Sequence, residues 1–320
     1  MIKITSLELQ QFYKNRTVII LGGGGFIGSN LAFTLQQYRS KIIIVDAFIH
    51  GTGENESNLK EINAELIKSD IKDVHNWKDA IEPTSIIFHC AAKNTHKWCN
   101  FHIVEDCNVN YYPQLAVAEV IRKLSPQIRF VYCSTRTVYK DVASAPLTEF
   151  SEIFPQDVYS LHSLASERLF QLLLHRNQIR ILRLTNTYGP KQRLSGNEIG
   201  LIGELVVAAL NNDFYQIYQN GFARRDINYI DDVVRGLLYI AMIDVMDYPI
   251  IHLGGDWVET RSIVECLNKI TGWQRYSYVD SPLKSISPLA INRAVDILGW
   301  TPLVDLTTGM SRTINYFQSL

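Results

Sequence analysis

The 320-residue sequence predicts an α/β fold, a doubly wound parallel sheet with a smaller C-terminal lobe. Three observations carry this. Short β-branched runs alternate with longer helical patterns, as in successive βαβ units. Most of the strand-like runs are apolar nearly throughout, as strands covered on both faces must be. The first of them leads through a glycine cluster directly into a helix.

In chain order, residues 1–14 read as a short lead-in helix with no evident purpose. Strands follow at Thr17–Leu21, Lys41–Asp46, Glu65–Lys68, Ser85–Cys90, Ile128–Ser134, Ile179–Leu184 and Pro249–Leu253. Helical patterns lie at Phe26–Tyr38, Val104–Lys123, Tyr159–His175 and Ile199–Asn211. Tyr188–Asn197, rich in Gly, Pro and polar residues, marks the end of the sheet and the start of a second lobe. The expected division is a nucleotide-binding domain over 1–185 plus about 224–255, with 186–223 and 256–320 as the smaller, substrate-binding lobe.

With 47% hydrophobic and 20% charged residues, the chain can bury a sizeable core. A formal charge of −1 gives no electrostatic reason to expect a nucleic acid or a membrane surface as partner. No apolar run approaches the ~18 residues of a membrane span. The opening Met1-Ile2-Lys3 lacks a signal-peptide pattern. Five unpaired cysteines, Cys90, Cys99, Cys107, Cys133 and Cys266, suit reduced thiols in a cytoplasm.

The run Gly22-Gly23-Gly24-Gly25-Phe26-Ile27-Gly28 joins the first strand to the first long helix. Glycines at 22, 25 and 28 permit a sharp turn, approach of a pyrophosphate to backbone, and close packing of helix on strand. The helix start at Phe26 and Ile27 offers free N–H groups and a positive dipole end to phosphates. Asp46 ends the second strand, eighteen residues past Gly28. A carboxylate there accepts ribose hydroxyls and repels a 2′-phosphate, which favours NAD over NADP. The nucleotide-binding half is therefore expected to be Rossmann-type.

Further motifs carry a resemblance. Ser69-Asp70-Ile71, His89-Cys90-Ala91-Ala92, Asn108-Val109-Asn110, Arg183 to Pro190, Arg225 to Val233 and Leu298 to Pro302 follow the glycine cluster in order. Together they resemble the extended short-chain dehydrogenase/reductase family of NAD-dependent nucleotide-sugar epimerases and dehydratases, from about Arg16 to Phe317. The resemblance implies that Asp70 and Ile71 bracket the adenine and that Ala91 and Ala92 line the dinucleotide. It gives Asn108 the asparagine position that supports strand geometry at the active site, and Asn186 and Arg225 contacts with a substrate diphosphate. It also implies a homodimer built on the helices at Val104–Lys123 and Tyr159–His175.

Oxidising a sugar hydroxyl moves a proton from oxygen and a hydride from carbon to nicotinamide. The family uses a tyrosine as base, a lysine four residues later and a Ser or Thr hydroxyl. Here Thr135 and Tyr159 take the hydroxyl and tyrosine positions, and Ser163 stands where the lysine belongs. Loss of that cation would raise a tyrosine pKa by about 1–3 units, although the oxidised nicotinamide still favours phenolate. Lys93, Arg136 and Lys140 lie on active-site loops and are the alternative cations, with Lys93 and Arg136 also expected to face substrate. Related dehydratases and decarboxylases carry carboxylates just after the hydroxyl, where this chain has Arg136-Thr137. The expected function is therefore epimerisation of a nucleoside-diphosphate sugar by transient oxidation. Dehydration or reduction of such a sugar, and NAD binding without chemistry, are the alternatives.

Two clusters remain. His96, Cys99, His102 and Cys107 have a faint metal-site spacing but lack a second paired half, so no metal is expected. Lys191, Arg193, Arg224 and Arg225 form a basic patch beside Asn186, suited to a diphosphate.

Overall fold

The computed structural model describes residues 4–49, 55–140, 145–196, 198–282 and 285–320. Met1–Lys3 and Asn197, included in the expectations above, lie outside the described residues. The first half alternates strand and helix: α1 (Ser6–Tyr13), β1 (Thr17–Leu21), α2 (Phe26–Gln37), β2 (Lys41–Asp46), β3 (Glu65–Lys68) and β4 (Ile86–His89). After β4 come α3 (His96–Phe101), α4 (Ile103–Asp106), α5 (Tyr112–Ile121), β5 (Arg129–Thr135) and α6 (Val158–Leu173). The rest is β6 (Ile179–Leu184), β7 (Asn186–Tyr188), α7 (Gly200–Asn211), β8 (Tyr215–Tyr218), β9 (Arg224–Tyr229) and α8 (Ile230–Met242). It closes with β10 (Ile250–Leu253), β11 (Asp256–Glu259), α9 (Thr260–Thr271), β12 (Tyr276–Val279) and α10 (Leu306–Gln318).

Seven parallel strands form the main sheet in the order β10-β6-β5-β4-β1-β2-β3. The order reverses beside β1, which places a crevice at the carboxyl ends of β1 and β4. Alternation along the strands splits the core. Val18, Ile20, Ile42 and Ile44 face one buried layer, and Ile19, Leu21, Ile43 and Val45 face the other. Both layers are covered, which is why these strands read as unbroken apolar runs. The lead-in helix acquires a purpose here: a Thr5–Glu8 capping box starts α1, and buried Tyr13 donates its hydroxyl to the Leu238 carbonyl on α8 at 2.8 Å.

The second half carries a three-stranded sheet, β11-β9-β7, and a two-stranded one, β12-β8. Within 224–255, β10 joins the main sheet, whereas β9 pairs with β7 and β11. The helix expected over Val104–Lys123 is broken: a π-helical turn, Cys107–Tyr111, separates α4 from α5. Pro113 is the physical reason, because it has no N–H to give and its ring crowds the carbonyl four residues earlier. The wider turn shifts which side chains face inward beyond it.

Candidate active site

A cavity of about 610 Å³ runs along the carboxyl ends of the main-sheet strands, within the range of small-molecule and cofactor sites. Its first stretch is the glycine turn. Gly22 has a left-handed φ of +79°, and a Cβ there would stand 2.5 Å from the Ala91 nitrogen, so only glycine lets β1 lie this close to the loop after β4. A Cβ on Gly28 would meet the Gly22 carbonyl oxygen at 2.4 Å, which fixes how closely α2 abuts β1. Gly25 caps α2 without a side chain, leaving the first-turn N–H groups at Phe26 and Ile27 beside the cavity. The Asp46 carboxylate accepts the Gly24 and Phe48 N–H groups, each at 2.8 Å, and also borders the cavity. These bonds tie the glycine turn to the second strand.

Asp70, Ile71, Ala91 and Ala92 line the same cavity, as do Thr135 and Tyr159. Its far part is walled by Asn186, Arg193 and Arg225 together with α7 residues such as Leu201. Arg136 also lines it, nine-tenths buried, and donates to the Ser287 carbonyl at 2.9 Å.

Several expected residues lie elsewhere. Asn108 is exposed, and Asn110, within the π turn, is the buried asparagine. Asn110 accepts the Lys93 N–H at 2.8 Å and donates to the Lys93 carbonyl at 2.9 Å, clamping the loop after β4. The Lys93 ammonium rests over the Trp98 ring, 3.3 Å from its centroid, rather than in the cavity. Lys140 pairs with Glu152. The basic patch divides: Lys191 donates to the Asn58 carbonyl, and Arg224 stacks on Trp257 and pairs with Glu259. The His/Cys cluster disperses as well. His102 stacks on Trp98, Cys99 is buried against the Lys93 carbonyl, and His96 engages Asp157.

Ser163 occupies the lysine position, buried, and donates its hydroxyl to the Tyr159 carbonyl at 2.9 Å. Burial drives the Tyr159 phenol well above the ordinary tyrosine value, and Ser163 offsets only part of that. Asp157, Cys99 and Cys133 push it further up. All of these causes except Ser163 favour the protonated phenol.

Sequence inspection missed the polar chain beside it. Asp157 caps α6, accepting the Ser160 N–H at 2.7 Å. The same Oδ1 takes the Ser160 hydroxyl at 2.6 Å, while Oδ2 faces His96 Nδ1 at 2.7 Å. Ser160 Oγ lies 2.7 Å from Thr137 Oγ1, and Thr137 Oγ1 lies 2.9 Å from Thr135 Oγ1. The His96 ring meets Tyr159 edge-on, centroids 5.2 Å apart. Burial alone would raise the Asp157 carboxyl, but the bonds from His96 and Ser160 outweigh it and hold the group below its ordinary value. The helix-cap pattern at Asp157 and Ser160 was legible; its link to His96, sixty-one residues away, was not.

Comparison with known proteins decides the family. The NAD dependent epimerase/dehydratase family model matches residues 18–247. The chain belongs to that family. A putative UDP-glucose 4-epimerase of Methanocaldococcus jannaschii is 25% identical over 94% of this chain and 98% of its own length. UDP-glucuronic acid decarboxylase 1 of Xenopus tropicalis is 24% identical over 95% of this chain and 72% of its own length. Among solved structures, UDP-glucose 4-epimerase of Thermotoga maritima, determined with UDP-glucose, superposes with a TM-score of 0.83 at 25% identity, covering 95% of this chain and 99% of that one. NAD is the cofactor of this epimerase/dehydratase family, and the glycine turn, the free start of α2 and the Asp46 carboxylate form a cradle of the right chemistry for it.

Proposed function

We propose that this epimerase/dehydratase family member interconverts epimers of a nucleoside-diphosphate sugar through a transient keto-sugar. One observation carries the proposal: a single cavity brings the nucleotide cradle at Gly22–Gly28 and Asp46 together with the far wall of Asn186, Arg193 and Arg225, with Thr135 and Tyr159 between them. In this reading Asp46 holds the adenosine ribose, and Phe26 and Ile27 N–H groups meet the cofactor phosphates. Asp70 and Ile71 flank the adenine, and Ala91 and Ala92 lie along the dinucleotide. When bound, NAD supplies the oxidising and reducing power. The chain positions the sugar hydroxyl against Thr135, and Tyr159 donates its phenolic hydrogen bond to the sugar oxygen. Asn186, Arg193 and Arg225 hold the substrate diphosphate, the two arginines by charge-assisted hydrogen bonds. The lobe of 186–223 and 256–320 covers the sugar nucleotide, with β9 belonging to it.

Epimerisation is favoured over dehydration or decarboxylation because Arg136 and Thr137 follow Thr135, and neither can serve as the carboxylate those reactions need. The relatives' names favour a uridine diphosphate sugar. NAD-loaded protein incubated with UDP-, GDP-, CDP- and dTDP-sugars and followed by proton NMR tests this. A new anomeric signal from one of them, with no net NADH, is the expected result; an absence of turnover across the panel contradicts it. A 4-keto product would instead support the dehydratase alternative.

We also propose a homodimer. α3, α5 and α6 expose large apolar side chains, with Phe101 at 85% and Leu172 at 81% of full exposure, more than a monomer surface needs. No helix among the described residues is long and apolar enough to cross a membrane.

A further inference from the structure

The missing lysine leaves a question for the proposed reaction: a buried phenol is a poor base, so where does the sugar hydroxyl's proton go? The hydroxyl chain beside Tyr159 answers it by donor counting. Asp157 is ionised and can only accept, so the one Ser160 hydroxyl proton points to Asp157 Oδ1. Ser160 is oriented to donate to Thr137 as well as to Asp157; with its single proton given to the ionised carboxylate, the stronger acceptor, the Ser160–Thr137 contact is left to the Thr137 proton and the one between Thr137 and Thr135 to the Thr135 proton. The Thr137 N–H also donates to Thr135 Oγ1, at 3.2 Å. Each hydroxyl has one proton and each is committed in the same direction. Thr135 Oγ1 therefore faces the cavity as an acceptor, and any sugar hydroxyl meeting it must donate.

We propose that this chain is a proton relay, Thr135 to Thr137 to Ser160 to Asp157, with His96 donating from Nδ1 to hold the Asp157 carboxylate, and that it replaces the tyrosine–lysine couple. The inference rests on the epimerase reading above. As the sugar's carbon-bound hydrogen leaves with its electron pair, as hydride to oxidised pyridine nucleotide, the O–H electron pair becomes the second C–O bond. The released proton goes to Thr135 Oγ1, the Thr135 proton to Thr137, the Thr137 proton to Ser160 and the Ser160 proton to Asp157 Oδ1. Every bond in the chain is then reversed, and Thr135 donates to the ketone oxygen. Return of the hydride draws the proton back along the same path, so the chain resets without solvent.

The relay is confined to protein atoms. Ser160 is fully buried, and Asp157 presents one oxygen to each arm, Oδ1 to the hydroxyls and Oδ2 to His96. The titratable and charged groups around the pair are Tyr159, Cys99 and Cys133, the Asp106–His162 pair behind Cys99, and Lys97 and Glu198 on the cavity wall. Glu198 accepts the Lys97 and Trp98 N–H groups at 2.8 and 3.1 Å, which anchors the start of the helix bearing His96.

Thr137→Val keeps the shape of the side chain and removes its proton, whereas Thr137→Ser keeps the proton. Asp157→Asn preserves the helix cap and cannot accept a proton from Ser160. Turnover and its pH profile, NAD affinity by calorimetry, and the Tyr159 ionisation state by NMR of tyrosine labelled at ¹³Cζ in NAD-loaded protein are measured together. The expected result is a loss of about a hundredfold or more in turnover for Thr137→Val and Asp157→Asn. Thr137→Ser retains most activity, NAD affinity is unchanged in all three, and Tyr159 stays a phenol through the neutral range in which the wild type works. Thr137→Val turning over at the wild-type rate overturns the relay, as does a Tyr159 phenolate that appears in step with activity. Wild-type protein inactive on every sugar nucleotide removes the epimerase reading itself, and the relay with it; an active wild type with an active Thr137→Val removes the relay alone.

Discussion

Ser163 concentrates the chemistry of this molecule at the scale of a single side chain. Its hydroxyl is spent on the Tyr159 carbonyl and brings no charge to the phenol. Ser163→Lys should therefore pull the Tyr159 pKa down by about 1–3 units in NAD-loaded protein, which the same ¹³Cζ signal reports; an unmoved signal would mean that the new ammonium does not reach the phenol. Asp46 allows a second test. Hydrogen bonds to a charged group are worth about 1.5–3 kcal/mol, so Asp46→Ala should weaken NAD binding roughly ten- to a hundredfold by calorimetry. The glycines, Asp46 and Thr135 were legible in the sequence because each belongs to a motif contiguous with a strand end, and Tyr159 because the family resemblance marks it. Asn110 was not: the family resemblance points to Asn108, and only the fold shows that Asn110, in the π turn before Pro113, is the buried one. His96 resisted for another reason, since its partner Asp157 is reached only through the fold.

Between elements, α2 and β1 illustrate how packing reverses a propensity. Alanine in place of glycine ordinarily favours a helix by about 1 kcal/mol. At Gly28 the added Cβ would stand 2.4 Å from the Gly22 carbonyl oxygen and 2.7 Å from Gly23 Cα, backbone atoms that cannot yield cheaply. Gly28→Ala should lower the melting temperature and NAD affinity together, and a stabilised protein would show that the turn can shift. The sheet interior also holds two neutral histidines. Burial pushes His89, on β4, down to about 4, and burial with the nearby Arg183 pushes His252, on β10, down to about 3. Unfolded, both titrate near 6.5. Below that value the unfolded chain binds protons the folded one refuses, so stability is full above about pH 6.5 and falls as pH drops toward 4. Melting curves across that window should show this slope, and His89→Gln should flatten it. Strands such as β1 and β2 were readable because burial on both faces leaves a continuous apolar signature, whereas β3, exposed at the edge of the sheet, was readable by its place in the alternation. Strands β7, β8, β9, β11 and β12 were not, being three to six residues long and edged by polar and aromatic side chains.

Across the whole molecule, the proposed dimer and the proposed active site draw on the same helix. One face of α6 supplies Tyr159, Ser160 and buried Phe170, while Leu161 and Leu172 project outward at 53% and 81% of full exposure. Leu172→Glu should shift the sedimentation coefficient from dimer to monomer without altering NAD affinity; a wild-type protein that sediments as a monomer at micromolar concentration would remove the proposal. The alternation of strands and helices, the glycine turn after β1 and the family resemblance were visible from the sequence alone, since each depends on order along the chain. How the second half meets that crevice depends on contacts such as Asn30 with the Pro190 carbonyl, 160 residues apart, which no local pattern encodes. The central claim is that a dinucleotide lies along this crevice with its ribose on Asp46. Isothermal calorimetry of NAD into folded, cofactor-stripped protein tests it most directly: saturable binding with one site per chain is the predicted result, and no heat at millimolar NAD would contradict it.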